Sequence, residues 1–237
     1  MIVKKFLKKI VNSNRFLKKL LKIYKQAKIN KLQRKKINSI KKHGPNIVQE
    51  LESCLKNTGL VYFATCGTLL GLIREKRLLK NDYDIDYGVI IDDQNSWKIL
   101  ETSLAKFGYK KIRDFLLDNK VTEQTYRNNK GVEIDFFGHF IINDNLYFYS
   151  YDKLQDVEYP SENLWTAYIL NNGKYKGTKI IMTDIGMVTV PSNAEEYLSC
   201  NYNDDWMIPN PKFESNTGKG CHKIKDMFGV LNIHKNL

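Results

Sequence analysis

Asp82, Asp84 and Asp86 alternate with Tyr83, Ile85 and Tyr87 in the segment DYDIDY. Side chains of an extended chain point alternately to opposite faces, so the three carboxylates share one side, with Asp84 and Asp86 roughly 6.6–7 Å apart at Cα. Like charges placed this way repel one another. A hard divalent cation relieves the repulsion, Mg²⁺ or Mn²⁺, with Mg²⁺ the usual choice where phosphates complete the shell. Asp82 stands on the same face at the strand entrance, and Tyr83, Ile85 and Tyr87 are predicted to face the core. A third carboxylate comes from GVEIDFFGHF, residues 131–140, where Glu133 and Asp135 fall on one face and Ile134 and Phe136 on the other. Asp135 meets Asp84 and Asp86 if the two strands are neighbours. For either strand taken alone, the plain alternative is the polar outer face of an antiparallel sheet.

The elements around these carboxylates follow from the pattern of apolar residues. LVYFAT, residues 60–65, is apolar and rich in β-formers, which predicts a buried strand. It runs into Cys66-Gly67-Thr68 and then LLGLIRE, which predicts a helix starting at Gly67 or Thr68. A strand, a glycine turn and a helix N-terminus together offer free backbone N–H groups to an anion, with the Thr68 hydroxyl as a further donor. Such a turn is also ordinary punctuation. Upstream, NIVQELESCLKNTG places Ile47, Val48, Leu51 and Leu55 on one helical face, with Pro45 near the start and Gly59 just past the end.

Charge divides the chain in two. Of the 38 basic and 26 acidic residues, 16 basic and no acidic ones fall in residues 1–45, so the rest holds 22 against 26 and is about −4. Residues 1–44 therefore read as a basic arm, and residues 45–237 as a globular domain large enough for a sizeable core. In the arm, Val3, Phe6, Leu7 and Ile10, then Leu17, Leu20, Leu21 and Tyr24, recur at helical spacing among lysines, with a break at Asn12-Ser13-Asn14. A basic amphipathic helix of this kind suits an anionic membrane surface, here through residues 1–42. The bland alternative is an apolar stripe packed on protein, and a nucleic acid is the least favoured partner. Lysines interrupt every apolar run and no cleavage-type sequence follows, so neither a secretory signal nor a spanning helix is expected. This places the protein in the cytoplasm, on the inner face of the membrane. Four cysteines, irregularly spaced, predict reduced thiols rather than a zinc site or disulfide framework. His222 beside Cys221 is a weaker lead to a substrate or metal contact.

Taken together, Gly67-Thr68-Leu69-Leu70-Gly71, Arg74 and the run Asp82–Asp86 resemble the LicD/fukutin-type phosphotransferases of the nucleotidyltransferase superfamily. A later stretch, TVPSNAEEYLSCNYNDDWMIP (residues 189–209), is similar to the family's second signature. Ser192 and Glu195 there read as a capping box. The resemblance covers about residues 45–210. It departs at Tyr83, where the family has a further aspartate, at Lys80-Asn81 before it, and at Asn203, where glycine is frequent.

The resemblance implies an α/β fold, a nucleotidyltransferase-like mixed sheet flanked by helices, with a metal face at one edge. It implies metal-dependent transfer of phosphocholine or a polyol phosphate from a CDP-linked alcohol donor to a hydroxyl of a cell-surface glycan or glycolipid precursor. Asp84, Asp86 and Asp135 would be the catalytic residues and the ligands of Mg²⁺ or Mn²⁺. Gly67, Thr68, Arg74 and Asp82 would bind substrate, the turn cradling a phosphate and Arg74 making a charge-assisted contact. Two other readings stay open: a nucleotidyltransferase that leaves nucleotide monophosphate on a small acceptor, and a degenerate domain recruited to a membrane by its arm.

Overall fold

A computed structural model of the chain describes residues 15–234. Helix α1 (Arg15–Leu55) leads into strand β1 (Tyr62–Ala64), helix α2 (Cys66–Arg74), strand β2 (Ile85–Ile90) and helix α3 (Gln94–Lys106). Then come β3 (Lys110–Leu117), β4 (Lys120–Arg127), β5 (Glu133–Ile142), β6 (Asn145–Asp152) and β7 (Leu164–Lys174). The hairpin β8 (Thr178–Thr183) and β9 (Gly186–Pro191), helix α4 (Ala194–Tyr202) and strand β10 (Cys221–Ile233) complete the chain.

The mixed α/β architecture expected from the sequence is present, but the sheet is larger and more closed than a small open one. Its eight strands run β1-β2-β5-β4-β3-β10-β7-β6, and β6 also pairs with β5, closing a barrel-like ring of six strands. β5 is the shared member: residues 134–139 pair in parallel with β2, residues 133–137 antiparallel with β4, and residues 139–142 antiparallel with β6. The flap β1–β2 leaves the ring at this strand, so the carboxylates of β2 and β5 sit where flap and barrel join. Helices α1, α2 and α3 cover the flap through Val48, Leu51, Leu69, Leu72, Leu100 and Leu104, all fully buried.

The helix expected to start near Pro45 instead continues the arm: α1 runs unbroken through Pro45. A proline inside a helix loses one backbone hydrogen bond, and tertiary packing offsets that loss. Ile40 is 1% exposed in the main core, and a Cβ on Gly44 would stand 2.6 Å from Leu78 Cδ1, so the glycine lets the loop after α2 close onto the helix. Lys36 pairs with Glu133 at 2.6 Å, and the Ser39 hydroxyl donates to the Lys130 carbonyl. The last third of the supposed arm is thus wall of the globular body. Ile40→Ala is therefore expected to cost about 2–5 kcal/mol, as for other large-to-small core changes, measurable by urea unfolding. A cost near zero would place residue 40 outside the core.

The break at Asn12-Ser13-Asn14 and residues Val3, Phe6, Leu7 and Ile10 lie outside the described residues, as do the side chains of Leu17, Leu20 and Leu21. Ile23, Tyr24, Ile29 and Leu32 are exposed, and at about 100° per residue they point around α1 rather than along one side. Among the described residues, no helix is long and apolar enough to cross a membrane. The described cysteines are free thiols.

Candidate metal and transfer site

Register brings the three carboxylates together. β2 and β5 run parallel with Asp86 opposite Asp135, and one ligand oxygen from each of Asp84, Asp86 and Asp135 lies within 4.8 Å of the other two. Ile85, Tyr87, Ile134 and Phe136 alternate with them and are fully buried on the other side. The period-two reading thus holds from residue 84 onward. It fails at Tyr83, which is 42% exposed, because β2 begins only at Ile85 and the chain before it is not extended sheet. The Lys36 ammonium lies 5.6 Å from the Tyr83 ring centroid.

Burial and mutual repulsion set the protonation of this cluster. Burial, then Asp135 and Asp82, push Asp84 well above the usual carboxylate range, and burial with Asp84, Asp82 and Asp135 does the same for Asp86. Burial raises Asp82 to about 6. Its Oδ2 is buried without a hydrogen-bond partner. An orphaned carboxylate oxygen beside three clustered carboxylates is an all-oxygen donor set whose negative charge Lys36 and Arg113 offset only in part, and that fits a hard divalent cation. Asp84, Asp86 and Asp135 are the residues that would hold it.

Helix α2 meets this cluster end-on, but not as an open phosphate cradle. Thr68 is fully buried: its N–H donates to Asp86 Oδ2 at 3.3 Å, and its hydroxyl accepts from the Asp86 N–H at 2.9 Å. A Cβ on Gly67 would stand 2.9 Å from Asp82 Oδ2 and 3.3 Å from Asp86 Oδ2. The Thr68 N–H at the helix start is therefore turned on Asp86, and Gly67 lets Asp82 approach. The Thr68 N–H and hydroxyl are thus both engaged by Asp86. Arg74 lies away from this turn. It stands in the last turn of α2, at the opposite end from Gly67, where Nη1 donates to the Trp206 carbonyl at 3.2 Å and Nη2 pairs with Glu75 at 3.1 Å. Arg74 thus ties the first signature to the second. Asn203 in that second signature has φ 68, the conformation that favours glycine. The capping box does not form: α4 starts at Ala194 behind Asn193, and Ser192 spends its N–H on the Gly177 carbonyl.

Sequence reasoning missed the polar groups that surround the triad. Thr125 on β4 lies opposite Asp135 and Arg113 on β3 lies opposite Thr125, which extends the row Asp86, Asp135, Thr125, Arg113 across four strands. Arg113 Nη2 donates to both Asp135 oxygens at 3.2 Å, its Nε donates to the Thr125 hydroxyl, and Thr125 donates to Asp135 Oδ1 at 2.5 Å. Glu123, two residues before Thr125, is raised to about 8 by burial and by Asp135. Glu133 takes no part in the triad. Burial pushes it up, but Lys36 and Arg127 outweigh that and hold it below the usual glutamate range. Cys221 and His222 join no group of three ligating side chains among the described residues.

Residues 59–169 match the family model described as LicD/FKTN/FKRP, nucleotidyltransferase domain. This stretch of the chain is similar to LicD-family domains. All three carboxylates, Arg113, Glu123 and Thr125 lie within the matched stretch. Ribitol-5-phosphate transferase FKTN of Mus musculus is 26% identical over 180 residues, 71% of this chain and 34% of the relative. The FKTN of Homo sapiens is 24% identical over 177 residues, 72% of this chain and 34% of the relative. The matched stretch thus spans about a third of the curated relatives' length. Among solved structures, the lincosamide antibiotic adenylyltransferase LnuA bound to lincomycin is similar at TM-score 0.40 and 10% identity, over 67% of this chain and 92% of the other.

Asp82 sits in the loop before β2 and outside the three-oxygen group. Asp82→Asn is therefore expected to lower turnover less than Asp84→Asn does. Steady-state rates at saturating divalent ion check the order, and the reverse ranking would reassign the ligands.

Proposed function

We propose that the LicD-type domain transfers a phosphorylated alcohol, phosphocholine or a polyol phosphate, from a CDP-linked donor to a hydroxyl of a glycan or glycolipid. The observation that carries this reading is the register match of Asp86 with Asp135 beside Asp84, within a domain whose relatives are ribitol-5-phosphate transferases. A bound Mg²⁺ or Mn²⁺ would neutralise donor phosphate charge and lower the pKa of the attacking hydroxyl. The chain's own residues do the rest. Arg113 and Thr125 fix the Asp135 carboxylate from the barrel side, leaving it in position to take the acceptor's proton. Thr68 and the start of α2 fix Asp86 from the flap side. The acceptor oxygen forms a bond to the phosphorus that carries the alcohol, the bond from that phosphorus to CMP breaks, and CMP leaves with the electron pair.

Membrane recruitment through residues 1–42 and a place on the inner face of the cell membrane remain part of this proposal, resting on the lysine-rich composition of those residues. The test is a donor screen with CDP-choline, CDP-glycerol and CDP-ribitol, reading CMP release with and without Mg²⁺. Mg²⁺-dependent release from one of them, with an acceptor gaining the alcohol phosphate, is the expected result. An acceptor that gains nucleotide monophosphate would establish the nucleotidyltransferase alternative, and no divalent-ion affinity would establish the degenerate one.

A further inference from the structure

The hairpin β8–β9 stands outside the eight-stranded sheet, and its two edges differ. The Ser192 N–H donates to the Gly177 carbonyl, which fixes the parity of the ladder: residues 179, 181 and 183 of β8 bond to 190, 188 and 186 of β9, and the alternate residues turn their N–H and C=O groups outward. On β9 those outward groups are met by α1. Gln49 donates to the Met187 carbonyl, and the Thr189 N–H donates to Glu52. On β8 they belong to Thr178, Ile180 and Met182, and among the described residues no backbone group bonds to them across this edge.

The side chains along this edge are apolar and open. Ile180 is 66% exposed and Met182 71%, and Met187, opposite Met182, adds to the same face at 58%. The other face of the hairpin is spent on the core, where Val188 and Val190 are fully buried. Edge strands are ordinarily blunted by a proline, a bulge or a row of charges. β8 carries no proline, its register with β9 runs unshifted from Thr178 to Thr183, and its one charge, Lys179, falls on the opposite face from Ile180. The open length is bounded at one end. The Asp184 N–H donates to the Lys76 carbonyl, so the loop after α2 closes the edge just past Met182.

We propose that β8 pairs antiparallel with β8 of a second copy of this chain, joining the two hairpins into one continuous sheet, β9-β8-β8-β9. The parity of the free groups admits only registers that set even-numbered residues opposite even-numbered ones. The Lys76 loop selects among these. Centring on Ile180 sets Ile180 opposite its own copy and Thr178 opposite Met182, which uses the open edge and nothing beyond it, so each free N–H and C=O finds a partner. Lys179 then meets Ile181 instead of another lysine. Asp184 at each hairpin tip stands in line with Lys176 of the second copy, which also holds Glu196 of its own chain, so opposite charges meet at both ends. This self-complementarity about a twofold axis points to a second copy as the occupant. Nothing in the pairing depends on the transferase reading.

Sedimentation of the full-length protein over about 1–200 µM is expected to show a reversible dimer, weak as small interfaces are. Ile180→Lys sets two lysines face to face on the axis and is expected to raise the dimer dissociation constant at least about tenfold. Mn²⁺ affinity and Tm stay as in the wild type, because residue 180 is exposed and far from the carboxylates in sequence and sheet. Cysteines read the register directly, since residues opposite one another in a hydrogen-bonded antiparallel pair lie about 5.5 Å apart at Cα, within disulfide reach. On oxidation with diamide, Ile180→Cys is expected to form an interchain disulfide that the wild type does not. Met182→Cys alone is not expected to, its two copies lying more than about 10 Å apart, but it does when mixed with Thr178→Cys. A monomer over the whole concentration range would overturn the proposal, and slow hydrogen exchange of the Ile180 and Met182 amides in that monomer would put the chain's own residues 1–14 on the edge. A dimer that Ile180→Lys leaves within twofold of wild type, with no disulfide from Ile180→Cys, would overturn it as well and place the contact elsewhere.

Discussion

Asp84→Asn and Asp86→Asn are each expected to lower CMP release on the order of 10³-fold, while the metal-free variants are expected to unfold at a higher temperature than the wild type. Loss of one charged oxygen in a site that stabilises transition-state charge costs rates of that size. The opposite effect on stability follows from the same carboxylates. Each lies among like charges that push its neighbours' pKa values up, so removing one charge relieves the others. The amide that replaces the Asp86 carboxylate keeps an oxygen for the Thr68 N–H, so the start of α2 stays anchored. Differential scanning fluorimetry without divalent ion, paired with rates at saturating Mg²⁺, checks both halves. Turnover within tenfold of wild type in either variant would remove that residue from the site.

Metal-free protein is also expected to gain stability as pH falls from 8 to about 6.5. Glu123 stands at about 8 in the folded chain against an ordinary 4.5, so in this window the folded state binds more protons than the unfolded one and stability is lost as pH rises. Asp84 and Asp86, also raised, add in the same direction. Glu123 alone contributes about 1–2 kcal/mol over the window, a rise of several degrees in Tm for a chain of this size. Below about 6.5 the gain is opposed by His139. Burial holds its imidazole at about 3 against an ordinary 6.5, so it stays neutral in the fold while the unfolded chain takes up a proton, and its contribution is lost as pH falls. Divalent ion needs the ionised carboxylates, so Mn²⁺ is expected to raise Tm more at pH 8 than at pH 6.5. A metal-free Tm that climbs from pH 6.5 to 8 would contradict the buried-carboxylate picture.

The triad was legible because each of its strands carries its own signal. The alternation of Asp84 and Asp86 with Ile85, and of Asp135 with Ile134 and Phe136, needs only the two-residue period and one assumption, that the strands are neighbours. The glycine turn before α2 was legible as a turn but not in its use, because which anion fills a helix start depends on the loop before β2, and Asp82 arrives there from outside regular structure. Arg113 was not legible. A register shift between Lys111 and Arg113 breaks the alternation of β3, so parity counted along KKIRDF does not give its face. Thr125 and Glu123 sit in KVTEQTYR, whose polar residues read as a solvated edge, whereas ring closure through β6 and β10 buries them. Pro45 and the charge boundary suggested a helix start, but contacts of Ile40, Lys36 and Ser39 with the barrel, far away in sequence, keep α1 continuous.

The most direct test of the central claim is a Mn²⁺ titration of the full-length protein followed by electron paramagnetic resonance of the free ion, for wild type and for Asp86→Asn and Asp135→Asn. The expected result is saturable binding of one or two ions by the wild type, lost or weakened at least tenfold in each variant, with Mg²⁺ competing. No saturable binding by the wild type, or equal binding by the variants, would contradict a divalent-ion site at Asp84, Asp86 and Asp135.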